Sequence, residues 1–221
     1  MKTRIYFWRI RARDIPWAIT RMALDRRILK RNSAIKFWKL LGTGKGETFT
    51  PKDADAQRWG LIVRIEDGAL ADFEKSRLMT RWNSKAISSY SATLGAISAH
   101  GSWSKHRPFP EEIDSRNWDG QVAAITRARI KSAKNLIFWR AVPPVTAALK
   151  SAPGLVSAIG IGEAPLGLQG TFSIWQDPAA IRDFAYRGAA HRAAIEATAR
   201  EKWYAEELFA RFAIIEANGA L

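Results

Sequence analysis

The chain carries an internal repeat, and this repeat constrains the fold more than any other feature of the sequence. Three patterns from the first half recur in the same order in the second half. They are residues 39–44 (KLLGTG) with 157–162 (SAIGIG), 59–64 (WGLIVR) with 170–175 (GTFSIW), and 68–73 (GALADF) with 178–184 (PAAIRDF). Such a duplication predicts two similar units that bury their apolar faces against each other.

Local patterns place strands and helices in the same order in both halves. The first half predicts strands at 4–10, 37–44 and 58–65, one or two strands within 88–103, and helices at 15–31 and 67–80. The second half predicts strands at 121–130, 155–162, 171–175 and 210–215, and helices at 135–150 and from Asp177-Pro178 past His191. Each half is therefore expected to be a βαββαβ unit, the ferredoxin-like arrangement, and the fold class is α+β.

A polar segment with two prolines, residues 104–119 (SKHRPFPEEIDSRNWD), separates the two halves. We therefore expect a first ferredoxin-like unit over residues 1–110, which includes a basic N-terminal segment. The second ferredoxin-like unit is expected over residues 120–221.

Positive charge is concentrated near the N-terminus. The net charge is +14, and residues 1–50 hold thirteen lysines and arginines against three acids, so ten of the fourteen net charges lie there. This predicts an anionic partner, either a nucleic-acid backbone or an anionic lipid surface. Because no RNP, KH or zinc-finger pattern accompanies the charge, no nucleic-acid partner is expected and an anionic membrane surface is favoured.

The helix expected at 15–31 begins after Asp14, which we place at its N-cap. Trp17, Leu24, Ile28 and Ile35 recur near helical spacing, with basic residues between them. This stripe can pack on a sheet and leave a solvated basic face, or it can lie on a membrane; the spacing leaves both open.

The chain has no cysteine, so disulfides, thiolate-ligated haem and cysteine-based metal sites are excluded. No apolar stretch is long enough for a membrane span, and charges alternate with aromatic residues at the N-terminus, unlike in a signal peptide. We therefore expect a cytoplasmic protein that can bind the cytoplasmic membrane peripherally.

Other motifs give weaker signals. Residues 42–46 do not match the P-loop pattern and predict a tight turn. Residues 160–165 predict a strand end at which the backbone approaches another surface, and a ligand can be that surface. His100 and His106 have a weak metal-site spacing, and Glu206 and Glu207, placed on a helix, point apart and form no acid pair.

His191 is the most informative single residue. On the helix after Asp177, the positions Ile181, Phe184, Gly188 and His191 follow steps of three and four, which puts the imidazole on the inward stripe. Gly188, one turn earlier, removes side-chain bulk beside it. The spacing is compatible with a hydrogen-bonded core histidine and with an axial metal or haem ligand.

The chain resembles the spheroidene monooxygenase family of acyclic-carotenoid ketolases. The resemblance is densest in the second half and covers most of the chain. It rests on residues 159–165 (IGIGEAP), 169–175 (QGTFSIW), 184–187 (FAYR), His191 and 203–212 (WYAEELFARF), and in the first half on 40–44 (LLGTG) and 59–61 (WGL).

The resemblance implies a fold, a reaction and partners. The fold is a dimeric α+β barrel, in agreement with two βαββαβ units. The activity is an O2-dependent introduction of a keto group at C-2 of spheroidene-type carotenoids, through two hydroxylations and loss of water. The implied cofactor is haem iron, and the implied electron donor is an external reductase or ferredoxin. A homodimer is compatible with this fold.

The resemblance also raises expectations for particular residues. His191 is expected to ligate the haem iron, with Gly188 and Phe184 contacting the cofactor. Gln169, Ser173 and Arg187 are the polar residues expected to face the reacting side. The alternative expectation is a haem- or small-ligand-binding α+β barrel without oxygenase activity.

Overall fold

A computed structural model of the chain describes residues 1–45, 53–130, 146–163, 170–187 and 204–221. It contains a mixed α+β fold, which confirms the expected fold class. Eight antiparallel strands form one sheet. They are β1 (Lys2–Ile10), β2 (Ile35–Gly44), β3 (Ala54–Ile65), β4 (Ala86–Gly101), β5 (Val122–Ile130), β6 (Leu155–Gly162), β7 (Gly170–Trp175) and β8 (Tyr204–Gly219).

The eight strands close into a barrel in the order β1-β3-β2-β6-β7-β5-β8-β4. Two seams join strands of the first half to strands of the second. In one, Gly42 pairs with Gly162 and Gly44 with Gly160, so the two glycine-rich strand ends meet each other. In the other, β4 pairs with β8 from Tyr90 to Gly101. The surface that the backbone at 160–162 approaches is therefore β2.

Side chains on the inner face of the sheet fill the barrel. Because neighbours on a strand point to opposite faces, Ile5 and Phe7 on β1, Ile125 on β5 and Phe172 on β7 face inward, and all are at most 2% exposed. Leu41 and Ile159 both face inward, as the repeat predicts. Leu61, however, faces outward while its predicted counterpart Phe172 faces inward, so the second repeated pattern is one residue out of register.

Four of the described helices lie on the outside of the barrel. They are α1 (Ile15–Arg31), α2 (Leu70–Glu74), α3 (Arg77–Lys85) and α4 (Pro178–Arg187). The single helix predicted at 67–80 is divided, because the Ser76 side chain caps a new helix by accepting a hydrogen bond from the backbone N–H of Met79. Within the described residues, no helix is long and apolar enough to span a membrane.

The buried face of α1 differs from the stripe that the spacing suggested. Ala18, Met22, Asp25 and Leu29 are buried, and they lie on one side of the helix at steps of three and four. Of the predicted stripe, Trp17 is half-buried, whereas Leu24 and Ile28 are exposed. Asp14 occupies the N-cap position, but its carboxylate pairs with Lys85 (2.8 Å) and caps no backbone N–H.

Two further segments differ from the sequence expectation. The last strand is predicted at 210–215, but β8 runs from Tyr204 to Gly219, so Glu206 and Glu207 lie on a strand and not on a helix. The expected linker, 104–119, packs on the barrel: Phe109 is 4% exposed and joins the inner core. Most of the expected helix at 135–150 lies outside the described residues. The part that is described, 146–150, is helical.

Candidate active site

The outer face of the second-half sheet brings two of the predicted site residues together. β7 alternates so that Ser173 and Trp175 point outward, and α4 crosses this face after the Asp177 carboxylate accepts a hydrogen bond from the backbone N–H of Ala180 (2.8 Å). The Trp175 indole N–H donates to Ser173 Oγ (2.9 Å), and its ring lies 5.2 Å from the Phe184 ring, centroid to centroid. Ser173 and Phe184 are therefore linked through Trp175.

Trp175 is the residue of this group that the sequence analysis missed. It is 1% exposed and belongs to a small outer cluster with Ile181. The signal was present in the run at 171–175 (TFSIW), because period-two alternation puts Trp175 on the same face as Ser173.

The other predicted site residues lie at or beyond the limit of the structure. Arg187 is the last residue of α4, and the structure describes only its backbone. Gln169, Gly188 and His191 lie outside the described residues. Their assigned roles therefore stay predictions.

The outer faces of the two halves differ in side-chain size. In the first half, Tyr6 and Trp8 on β1 face outward with Trp59 and Leu61 on β3, and all four are at most 5% exposed. The corresponding adjacent positions on β5 and β7 hold small side chains, namely Ala124, Thr126, Thr171 and Ser173. The outer face of the second-half strands thus presents small side chains where that of the first half presents aromatic and large aliphatic ones.

A charged cluster lies inside one end of the barrel. It consists of Lys39, Arg127, Glu163 and Glu206, whose side chains occupy inward positions beside Trp103. Glu163 accepts hydrogen bonds from Lys39 Nζ (2.7 Å), Arg127 (3.0 Å) and the Trp103 indole N–H (2.6 Å). Arg127 also pairs with Glu206 (2.5 Å), and its guanidinium lies 5.5 Å from the centre of the Trp103 ring.

Glu206 is held by a tight turn as well as by Arg127. The backbone N–H groups of Ser104 (3.0 Å) and Lys105 (2.7 Å) donate to its carboxylate, and so does Ser102 Oγ (3.0 Å). Ser104 and Lys105 have positive φ angles of 54° and 64°, so both amides converge on one anion. Glu206 is the functional candidate that the sequence analysis placed on a helix and set aside.

The pKa values of both carboxylates reflect this environment. Burial raises the pKa of Glu206, but the hydrogen bonds from Lys105, Arg127, Ser104 and Ser102 outweigh it and lower the pKa to about 2. Burial likewise disfavours the charged form of Glu163, yet Lys39, Trp103 and Arg127 hold its pKa below the ordinary value. The two carboxylates therefore stay ionised at neutral pH, and they face two basic side chains.

The cluster adjoins the segments that carry the predicted site residues. Glu163 immediately precedes 164–169, which contains Gln169, and Tyr204 at the start of β8 immediately follows 188–203, which contains His191. The ion pairs of Arg127 therefore fix one boundary of each segment to the barrel. We interpret the cluster as a positioning element.

A cavity of about 470 Å³ lies elsewhere, on the outside of the first half between α3 and the start of β4. Ion-paired and hydroxyl groups line much of it, including Arg4, Glu74, Ser88 and Ser89. This polar lining does not suit a long apolar ligand. We therefore place the candidate active site on the outer face of the second half.

The two histidines with the weak metal-site spacing, His100 and His106, lie in one part of the described structure. His100 lies near the end of β4, and His106 forms a backbone bridge with Trp103. Within the described ranges, no group of three histidine or carboxylate side chains is arranged to hold a metal ion.

Comparison with solved structures defines the class of fold. An aldoxime dehydratase aligns with a TM-score of 0.58 and 8% identity, over 96% of this chain and 80% of its own. A second aldoxime dehydratase, in complex with butyraldoxime, aligns with a TM-score of 0.60 and 10% identity, over 97% and 79%. The protein is thus an α+β barrel protein of the architecture that these enzymes share. No family model matches the chain.

Sequence relatives define the family. The chain is 38% identical to spheroidene monooxygenase of Rhodobacter capsulatus, over 94% of this chain and 87% of that protein. It is 35% identical to the spheroidene monooxygenase of Cereibacter sphaeroides, over 92% of this chain and 63% of that protein. The chain belongs to the spheroidene monooxygenase family, which confirms the resemblance seen in the sequence.

Proposed function

We propose that the chain is an O2-dependent monooxygenase that introduces a 2-keto group into acyclic carotenoids, as in the conversion of spheroidene to spheroidenone in carotenoid biosynthesis. The observation that carries this proposal is the 38% identity to the Rhodobacter capsulatus relative over nearly the whole chain. The small outward side chains of the second-half sheet support it, because they present less bulk to an apolar group than the aromatic residues of the first half do.

We propose this face as the site of the haem that the family resemblance implies. Ala124 and Ser173 form a floor of small side chains, and Trp175 and Phe184 supply an apolar wall beside it. We propose that His191 ligates the iron, and that Gly188 and Phe184 contact the macrocycle. When bound, the haem would activate O2 with electrons from a donor such as a ferredoxin.

The residues of this chain would bind and orient the carotenoid. Phe184 would exclude water and contact the polyene end, and the buried Trp175 would orient it; Ser173, whose hydroxyl is fixed by the Trp175 N–H, would present a polar atom near C-2. Gln169 and Arg187 are proposed to join it on the reacting side. Two hydroxylations at C-2 give a geminal diol, and loss of one water from this diol leaves the ketone.

The architecture and location form the remaining part of the proposal. We propose that residues 1–110 and 120–221 are duplicated ferredoxin-like units, since the strand orders β4-β1-β3-β2 and β8-β5-β7-β6 correspond. We also propose that the protein is cytoplasmic, can form a homodimer and meets its substrate at an anionic membrane surface.

The test joins pigment analysis with absorption spectroscopy. A host that makes spheroidene should accumulate the 2-ketone when it expresses the chain, and the purified protein reconstituted with haem should show a Soret band. His191→Ala should lose the ketone and lose or shift the band. The control His100→Ala changes another histidine, which lies at an exposed strand end, and should keep both.

Two results would contradict the proposal in different ways. A folded wild-type protein that binds haem but leaves the pigment unchanged would contradict the oxygenase activity and favour a haem-binding barrel. Ketone formation by a protein with no Soret band would contradict the proposed haem cofactor but would agree with the proposed reaction.

A further inference from the structure

The outward face of α1 exposes aliphatic side chains among arginines and lysines. Ile19, Leu24 and Ile28 are 48%, 45% and 43% exposed, although the helix already buries a separate stripe against the sheet. Isolated exposed aliphatic residues are ordinary, but Leu24 and Ile28 lie one turn apart and form an apolar patch that the described fold leaves uncovered, whereas Ile19 lies on the opposite flank of the helix.

The charge on this face is not compensated. Arg26, Arg27, Lys30 and Arg31 are exposed. The two acidic residues next to or on this helix form other contacts. Asp14 pairs with Lys85, and Asp25 is buried against Arg21 and the Trp82 indole. Within the described part of the chain, Arg27, Lys30 and Arg31 form no salt bridge. The face therefore combines apolar surface with several unbalanced cations.

We infer that the outward face of α1 docks the protein on an anionic lipid bilayer. Exposed aliphatic side chains can enter the interfacial region while neighbouring guanidinium and ammonium groups contact lipid phosphates. A nucleic acid is less suited to this face, because its exposed apolar side chains are aliphatic and offer no aromatic ring on which a base can stack. Charge and side-chain type together favour lipid.

The docking face also has a defined relation to the barrel. Arg26, on the side of α1, donates a hydrogen bond to the backbone carbonyl of Glu163 (3.3 Å) at the end of β6. Docking through α1 therefore places this end of the second half near the bilayer, where an apolar substrate is dissolved. The role of docking in substrate access rests on the proposed function, but the binding of lipid by α1 does not require catalytic turnover.

Sedimentation of the full-length protein with vesicles tests the inference directly. The protein should bind phosphatidylcholine vesicles that contain phosphatidylglycerol, bind pure phosphatidylcholine vesicles weakly, and be released by high salt. Replacing Arg27, Lys30 and Arg31 together by glutamine should weaken binding about a hundredfold, since each cation contributes roughly a factor of five. Leu24→Ser with Ile28→Ser keeps the charge and should reduce the binding that persists at moderate salt.

A matched control separates a defined face from overall charge. Lys75, Arg107 and Arg129 are exposed basic residues outside α1, and replacing all three by glutamine removes the same charge. If this control weakens binding as much as the α1 variant, or if the α1 variant binds vesicles normally, the inference is wrong. An α1 variant that loses duplex DNA binding but not vesicle binding would also overturn it. Turnover of detergent-solubilised carotenoid, measured on the same variants, reports the proposed function separately.

Discussion

The hydrogen bonds of Glu206 connect the start of β8 to β5 and to the turn at 102–105, at one end of the barrel. Its side chain is 9% exposed, yet it occupies an inward position on β8 among apolar neighbours. Four hydrogen-bond donors satisfy it, and they come from Arg127 and from the turn at 102–105. A local pattern cannot reveal these partners, because they lie about eighty to one hundred residues away in sequence. For this reason the start of β8 could not be predicted, whereas the bounds of β6 agree with the prediction.

The lowered pKa of Glu206 predicts that the folded state loses stability as the pH falls. Its folded pKa of about 2 lies below the ordinary 4.5, so its stabilising effect is complete above pH 4.5 and is lost as the pH falls towards 2. Glu206→Gln should lower the free energy of unfolding by about 1–3 kcal/mol at neutral pH and flatten its acid dependence. Denaturant unfolding at several pH values measures this.

The control for this prediction is Glu207→Gln, because Glu207 is exposed on the same strand. It should leave both the stability and the acid dependence nearly unchanged. Equal losses for the two variants would show that the hydrogen bonds to Glu206 have no special role.

At the scale of elements, α1 illustrates what periodicity can and cannot settle. Its bounds agree with the prediction, because the turn at Asp14-Ile15-Pro16 and a long run of helix-forming residues define them locally. Its buried face was not predicted, because a charged residue, Asp25, sits at the centre of that face. The Trp82 indole donates to Asp25 (2.9 Å) and Arg21 pairs with it, so the carboxylate joins α1 to α3.

Removal of this carboxylate should therefore loosen the helical layer of the first half. Asp25→Ala leaves the Trp82 N–H and Arg21 without their acceptor and should cost about 2–4 kcal/mol of unfolding free energy. Asp25→Asn retains one acceptor oxygen and should cost less. The exposed Asp72 on α2 provides the control, since Asp72→Ala should change the thermal midpoint little. Similar midpoints for the two alanine variants would contradict this account of the α1–α3 contact.

The small side chains on the second-half sheet lead to a prediction about ligand space. Thr126 is exposed on the outer face of β5, at the position that Trp8 occupies on β1 in the first half. Thr126→Trp should fill this space and lower haem uptake at least about tenfold without unfolding the protein. Thr80→Trp, on the exposed side of α3, is the matched control and should bind haem like the wild type. Haem titration followed by absorbance compares them, and unchanged uptake by Thr126→Trp would place the cofactor elsewhere.

At the scale of the whole molecule, the repeat predicted the α+β class and the order of the strands along the chain. It did not predict how the halves join, because the seams between β2 and β6 and between β4 and β8 pair residues more than one hundred positions apart. The candidate site was foreseen only in part: Ser173 and Phe184 lie together, while Trp175 and the charged cluster emerged from the fold. The family likeness, and not the fold alone, connects this barrel to carotenoid oxidation.

The source of the new ketone oxygen tests the central claim most directly. Cells that make spheroidene and express the chain are grown under heavy-isotope O2, and the carotenoid product is analysed by mass spectrometry; a parallel culture receives heavy-isotope water. The account predicts a 2-ketone whose oxygen carries the label from O2. A ketone labelled from water, or unchanged spheroidene in cells that contain the folded protein, would contradict it.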